Sequence, residues 1–265
     1  MGHARRWSWL LVLLGGLALY ELIQRAIAET GNPNLLPALL LLGAAVVPTA
    51  FVTFIAGRRL VFAVGAGTVL LTALVGGVIG VVTAGVLEYN TLQRLGALPM
   101  LSVGLIEEAA KLILPAAVLL FVRRDRHPAD GLLLGVACGA GFAVLETMGY
   151  AFVVLVQSRG DLEVVDSVLF LRGVLSPAAH MAWTALAAAA LWRAAAQHWH
   201  AAEVGRFVLA FVVVVALHTA WDLSGSTVAY AVLSVVSLTL LAVVSHRLAA
   251  PHRREPVAGR RLASV

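Results

Sequence analysis

Eight apolar stretches, at residues 7–24, 35–56, 60–87, 99–122, 131–156, 172–193, 206–223 and 226–248, leave little of this 265-residue chain over for anything else. A helix rises about 1.5 Å per residue and the hydrocarbon of a bilayer is about 30 Å thick, so about 20 apolar residues cross it. The composition agrees: 61% of residues are hydrophobic and 12% charged, with a mean hydropathy of +0.93, outside the range of soluble domains. These runs predict an all-α polytopic membrane protein, a bundle of about eight transmembrane helices filling residues 1–248, with a basic tail at 249–265. The first run has a competing reading as a secretory signal, because Ala26-Ile27-Ala28 resembles a cleavage site. Glu21, Gln24 and Arg25 set that site too far from the apolar core, so the run is taken as a span.

The net charge of +5 would suit a nucleic-acid ligand if the basic residues shared a face. They alternate loop by loop instead. Arg5 and Arg6, then Arg58 and Arg59, then Arg123, Arg124 and Arg126, then Arg193 and Arg206, then Arg247 and the tail arginines, mark one side. The other loops carry Glu29 with Arg25, Glu88 with Arg94, and Asp161, Glu163 and Asp166 against Arg159. The positive-inside rule then puts both termini in the cytoplasm of a plasma-membrane protein whose surroundings are lipid. His198-Trp199-His200 reads as an interfacial belt, and Asp125, His127 and Asp130 as loop residues. The lone Cys138 excludes an internal disulfide and a cysteine-type zinc site. Gly76-x-x-x-Gly80 and Gly135-x-x-x-Gly139 predict close helix contacts.

Within the run from Leu98 to Val122 stands Glu107-Glu108-Ala109-Ala110-Lys111. Each charge costs roughly 2.5–3.5 kcal/mol at a helix centre, so such groups face a protein interior or a water-filled cavity. Lys111 lies at i+4 from Glu107 and i+3 from Glu108, close enough to neutralise one carboxylate and leave the other in surplus. Glu146, His180 and His218 are also intramembrane. Counted along helices of alternating direction, all fall roughly 6–15 Å below the outer surface. Scattered packing residues would not share a depth, so these predict one site in the outer half of the membrane. Asp222, at i+4 from His218, is placed to orient its ring; Tyr150 flanks Glu146; Pro177 is placed to bend the helix before His180.

Taken in order, Glu107-Glu108-x-x-Lys111, Gly141-Phe142-Ala143-x-x-Glu146 with Tyr150, Arg172 with Pro177, His180 and Thr184, and His218 with Trp221-Asp222 resemble the four motifs of the PrsW intramembrane proteases. That family is grouped with the CAAX-processing and bacteriocin-immunity-type membrane proteases. The resemblance covers about residues 99–223, and Thr147 stands where the family commonly has Asn. It implies a protease that cuts a single-span membrane protein, such as an anti-sigma factor, near the outer face of the membrane.

Peptide hydrolysis needs an activated water, a polarised carbonyl and a proton for the leaving amine. The candidate catalytic residues are Glu107, as the water-activating carboxylate, with Glu108, Glu146, His180 and His218; Lys111, Tyr150 and Asp222 support them. The residues favour a metal-free glutamic mechanism. A divalent metal such as zinc, held by Glu146, His180 and His218, is the alternative. Two other classes fit the sequence less well. A proton- or ion-coupled transporter needs polar groups through both halves of the membrane, yet Leu112 to Val122 carries no charge. A non-catalytic scaffold has no need for two glutamates, a lysine and two histidines at one depth.

Overall fold

The computed structural model describes residues 3–58, 60–122 and 126–249. Arg59, Arg123, Arg124, Asp125 and the tail from residue 250, all used above for topology, lie outside the described residues. Nine α-helices are described: α1 (His3–Thr30), α2 (Leu36–Ala56), α3 (Ala66–Leu95), α4 (Met100–Ala117), α5 (Pro128–Gln157), α6 (Leu162–Leu175), α7 (Ala182–Ala196), α8 (Ala201–Asp222) and α9 (Thr227–Ala249). There is no strand among the described residues. Seven helices there are long and apolar enough to cross a membrane, α6 and α7 counting as one 35-residue unit, Leu162–Ala196. The remaining expected span is α4 with its π-helical extension Val118–Val122, set apart by Glu107, Glu108 and Lys111 rather than by length.

Several expected boundaries move. Residues 60–65 do not open α3; they are irregular, and buried Asp130 accepts from the N–H groups of Ala63 (2.8 Å) and Val64 (3.1 Å). Asp130 is therefore a structural cap at the foot of α5 and not a loop charge. Of the acidic segment 161–171, expected as an outer loop, residues 162–171 are helical. Asp161 caps α6 by accepting from the N–H groups of Glu163 and Val164. Asp166 is tied to α1, accepting from Tyr20 Oη at 2.6 Å and Gln24 Nε2 at 2.5 Å.

Helix α5 is the hub, packed most extensively on α7 and α3. Glycine makes that possible. A Cβ at Gly131, Gly135 or Gly139 would come within 2.5–2.6 Å of Trp192 Cγ, Thr184 O and His180 O, so one stripe of α5 lies against α7 and the turn before it. On another face, a Cβ at Gly141 would sit 1.8 Å from Ala73 O of α3. The glycine spacing predicted close contacts; it did not show that α5 is held on two faces at once. Cys138 is buried there as expected, its thiol donating to Lys111 O at 3.0 Å.

Candidate active site

Three local features deliver the polar side chains to one place. Gly104 of α4 leaves room for α8, since a Cβ there would meet Thr219 Oγ1 at 2.9 Å and Val215 O at 3.2 Å. His218 then reaches Glu108, one turn below Gly104. Gly139 admits the backbone of His180 onto α5. Pro177, lacking an N–H, opens α7 with a π-helical turn, Pro177–Met181, in which Ala179 leaves helical geometry (φ −103°, ψ −113°). That kink turns His180 toward α4 and α5, where the sequence placed the bend.

The result is a continuous chain of contacts. Lys111 Nζ lies 3.0 Å from Glu107 Oε2, 2.9 Å from Glu108 Oε1 and 2.8 Å from His180 Nδ1. An ammonium only donates, so His180 accepts at Nδ1 and carries its proton on Nε2. That Nε2 stands 3.0 Å from Glu146 Oε2, which also pairs with Arg172 Nη2 at 2.9 Å. His218 Nδ1 donates to Glu108 Oε1 at 2.8 Å, which leaves Nε2 facing Glu107 at 3.5 Å and Asp222 at 3.4 Å. Glu107, Glu108, Glu146, His180 and His218 are thus linked through Lys111, with Asp222 at one end. Tyr150 supports from a step away: its ring lies under the Arg172 guanidinium, 4.0 Å from centroid to Cζ. Phe142 does the same for Lys111 at 4.1 Å.

Four carboxylates, Glu107, Glu108, Glu146 and Asp222, face two fixed cations, Lys111 and Arg172. The surplus negative charge suits a site that holds a proton or a cation. The two glutamates of the motif are not equivalent. Glu108 is fully enclosed, its Oε1 shared by Lys111 and His218, whereas the Glu107 side chain keeps 10% of its surface accessible. A cavity of about 110 Å³ reaches His180, bounded by Thr147, Arg172, Ser176 and Tyr230. At about 30 Å³ per molecule it has room for three to four waters.

The atoms that converge as possible metal ligands come from Glu107, His180 and His218, all within 4.8 Å of one another. The metal set expected from sequence had Glu146 in place of Glu107. In the structure Glu146 sits on the far side of His180, paired with Arg172. Two imidazoles and a carboxylate form a donor set that zinc accepts. Both ring nitrogens of His180 already have partners, so a metal would have to displace one of them.

Two residues near the site were missed. Trp183 stacks on His218, with centroids 4.9 Å apart, and its Nε1 donates to Ser237 Oγ at 2.9 Å, fixing the ring that fixes His218. No spacing rule marks it. The charge pattern places Glu88 in an outer loop, but α3 runs on to Leu95 and Gly96 (φ +66°) caps it. The Glu88 Oε1 atom is buried without a hydrogen-bond partner, within electrostatic range of Glu107 and Glu146. Gly96 was the available signal: a glycine just past a periodic run marks the helix end.

A family model described as PrsW family intramembrane metalloprotease matches residues 56–246. The chain belongs to that family. The match takes in α3 through most of α9, so it is wider than the motif region and holds every residue of the contact chain. No curated protein and no solved structure matches the chain. This PrsW-family protein is an integral membrane protein and an intramembrane protease.

Proposed function

We propose that this protein hydrolyses a peptide bond of a single-span membrane protein of the anti-sigma-factor kind, near the outer face of the plasma membrane, with Glu107 activating the water. The observation that carries this reading is the meeting of Glu107, His180 and His218 within 4.8 Å beside a cavity large enough for water. Of the paired glutamates, Glu107 is the one with access. Glu108 is committed to holding His218 in the tautomer whose Nε2 faces Glu107. Glu107 takes a proton from water as the oxygen attacks the scissile carbon; His218 Nε2, beside it, receives and returns that proton to the leaving amine. Lys111 and the Nε2–H of His180 are the donors nearest to the developing oxyanion. Both termini lie on the cytoplasmic side in this reading.

A second reading has its own support. The same Glu107, His180 and His218 would hold a divalent metal such as zinc, which when bound polarises the carbonyl and the attacking water. The family description points that way. The Lys111 ammonium, seated against Glu107 and His180, favours the metal-free form because it already supplies positive charge there. The deciding experiment is cleavage of single-span substrates by the purified protein, with and without chelator, alongside its metal content. Glu107→Gln keeps size but loses the base, so the rate should drop roughly 10²–10⁴-fold with folding intact. A folded Glu107→Gln variant at the wild-type rate removes Glu107 from the chemistry. Activity that disappears with the chelator and returns with added metal selects the metal reading.

A further inference from the structure

Far from the protease site, the end of the bundle that carries both ends of the described chain holds a cavity of about 890 Å³. Arg6 of α1, Arg58 just past α2 and His246 in the last turn of α9 line it, with Trp7, Trp9 and Ser245. No carboxylate among the described residues pairs with Arg6, Arg58 or His246; the Arg58 guanidinium lies over the Phe54 ring, 5.2 Å from its centroid. At the inner edge, Ser245 is 8% exposed and its Oγ has no hydrogen-bond partner. A buried hydroxyl is nearly always satisfied, and one on a helix would ordinarily turn back to the carbonyl a turn before it. This one faces a cavity rimmed with cations. Positive charge without counter-charge, plus an idle hydroxyl, is the complement of a phosphate.

We infer that this cavity binds the phosphate headgroup of an anionic phospholipid. Three observations select a lipid over other anions or the chain's own tail. Trp7 and Trp9 are aromatic residues of the kind that settle at headgroup level. Leu11 and Leu14 continue the Trp7 face at i+4 and i+7, 76% and 61% exposed, a lane for acyl chains leading away from the pocket. Residues 250–265 carry His252, Arg253, Arg254, Arg260 and Arg261 against a single acid, Glu255, so the tail repeats the pocket's charge instead of matching it. Basic pockets between transmembrane helices hold anionic headgroups through this combination of charge and depth.

The full-length protein, exchanged into nanodiscs of mixed phosphatidylglycerol and phosphatidylcholine, is examined for retained lipid by native mass spectrometry. Phosphatidylglycerol should be retained at about one molecule per chain and phosphatidylcholine should not. Retention should weaken about fivefold for each of Arg6→Gln and Arg58→Gln, less for Ser245→Ala, and hardly at all for Arg58→Lys, with helix content and melting followed to confirm folding. Unchanged phosphatidylglycerol retention in a folded Arg6→Gln/Arg58→Gln variant overturns the assignment. So does displacement by millimolar inorganic phosphate, which would make the ligand a free anion. Loss of retention on Arg253→Gln/Arg254→Gln with Arg58→Gln silent would place the lipid on the tail.

Discussion

Helices α7 and α9 are both rich in apolar residues and pack against each other, yet they are built for opposite surroundings. In α7 nearly every residue is buried: Ala185 to Ala189 let backbones close in, and Trp183 and Trp192 fill the larger gaps at 0% exposure. In α9 only Ser237, Leu241 and Ser245 are buried, one stripe at i, i+4 and i+8, and Val228, Val232 and Val235 on its other faces are exposed, as a lipid-facing surface would be. Apolar character alone does not separate the two, because lipid tails are as apolar as a protein core. Inside a membrane protein the interior is marked by small residues that admit close approach and by polar groups that demand partners. The candidate active site lies where both marks coincide, among α4, α5, α7 and α8.

If that is so, the severest damage should come from stranding a charge in the interior. Lys111 is fully buried against Glu107, Glu108 and His180. Lys111→Ala leaves two carboxylates unneutralised and should destabilise the protein by about 3–5 kcal/mol, the usual cost of breaking a buried pair from one side. Lys111→Ala/Glu108→Gln should recover part of that loss. Denaturation titrations in detergent measure both, and a single variant as stable as wild type would mean that these charges are solvated and not interior.

The second test addresses close approach. At Gly141 an added Cβ would lie 1.8 Å from Ala73 O, and at Gly77 2.5 Å from the Gly141 carbonyl carbon, so backbone must yield to backbone. Gly141→Ala should cost about 1–3 kcal/mol, as overpacking does, and should lower activity by shifting Glu146 on the same helix. Gly149→Ala, also on α5 but with nothing within 4 Å of its Cβ, is the matched control and should not destabilise. Equal losses at the two positions would refute the claim that α3 and α5 meet backbone to backbone.

The same contrast explains what could be read from the sequence. Hydropathy located the spans, since crossing a bilayer is a demand on each segment alone. The motif residues were legible for a similar reason: charge at the centre of an apolar run needs a cause. Helix α6 was not, because Asp161, Glu163 and Asp166 look like an outer loop until Asp161 is seen as an N-cap and Asp166 as the partner of Tyr20 and Gln24. Nor was the choice between Glu107 and Glu146 as neighbour of both histidines. That depends on how α4, α5, α7 and α8 are rotated against one another, which Gly104, Gly139 and the Pro177 kink decide through contacts between distant segments.

The smallest expected effect is the most direct check on the outer half of the comparison. Val235 of α9 is 65% exposed and faces away from the Ser237–Leu241–Ser245 stripe. Valine truncated to alanine in a water-soluble core loses the transfer of its methyl groups and leaves a void. On a lipid-facing surface the removed methyls are replaced by acyl chain, with no water excluded and no cavity sealed. Val235→Ala should therefore change stability by less than about 0.5 kcal/mol, within the range of surface substitutions away from special features. Leu119→Ala, at 0% exposure in the π-helical end of α4, provides the interior counterpart and should cost about 2–5 kcal/mol. A loss at Val235 as large as that at Leu119 would mean that the outer face of α9 is covered by protein, so that a second chain and not lipid packs against it.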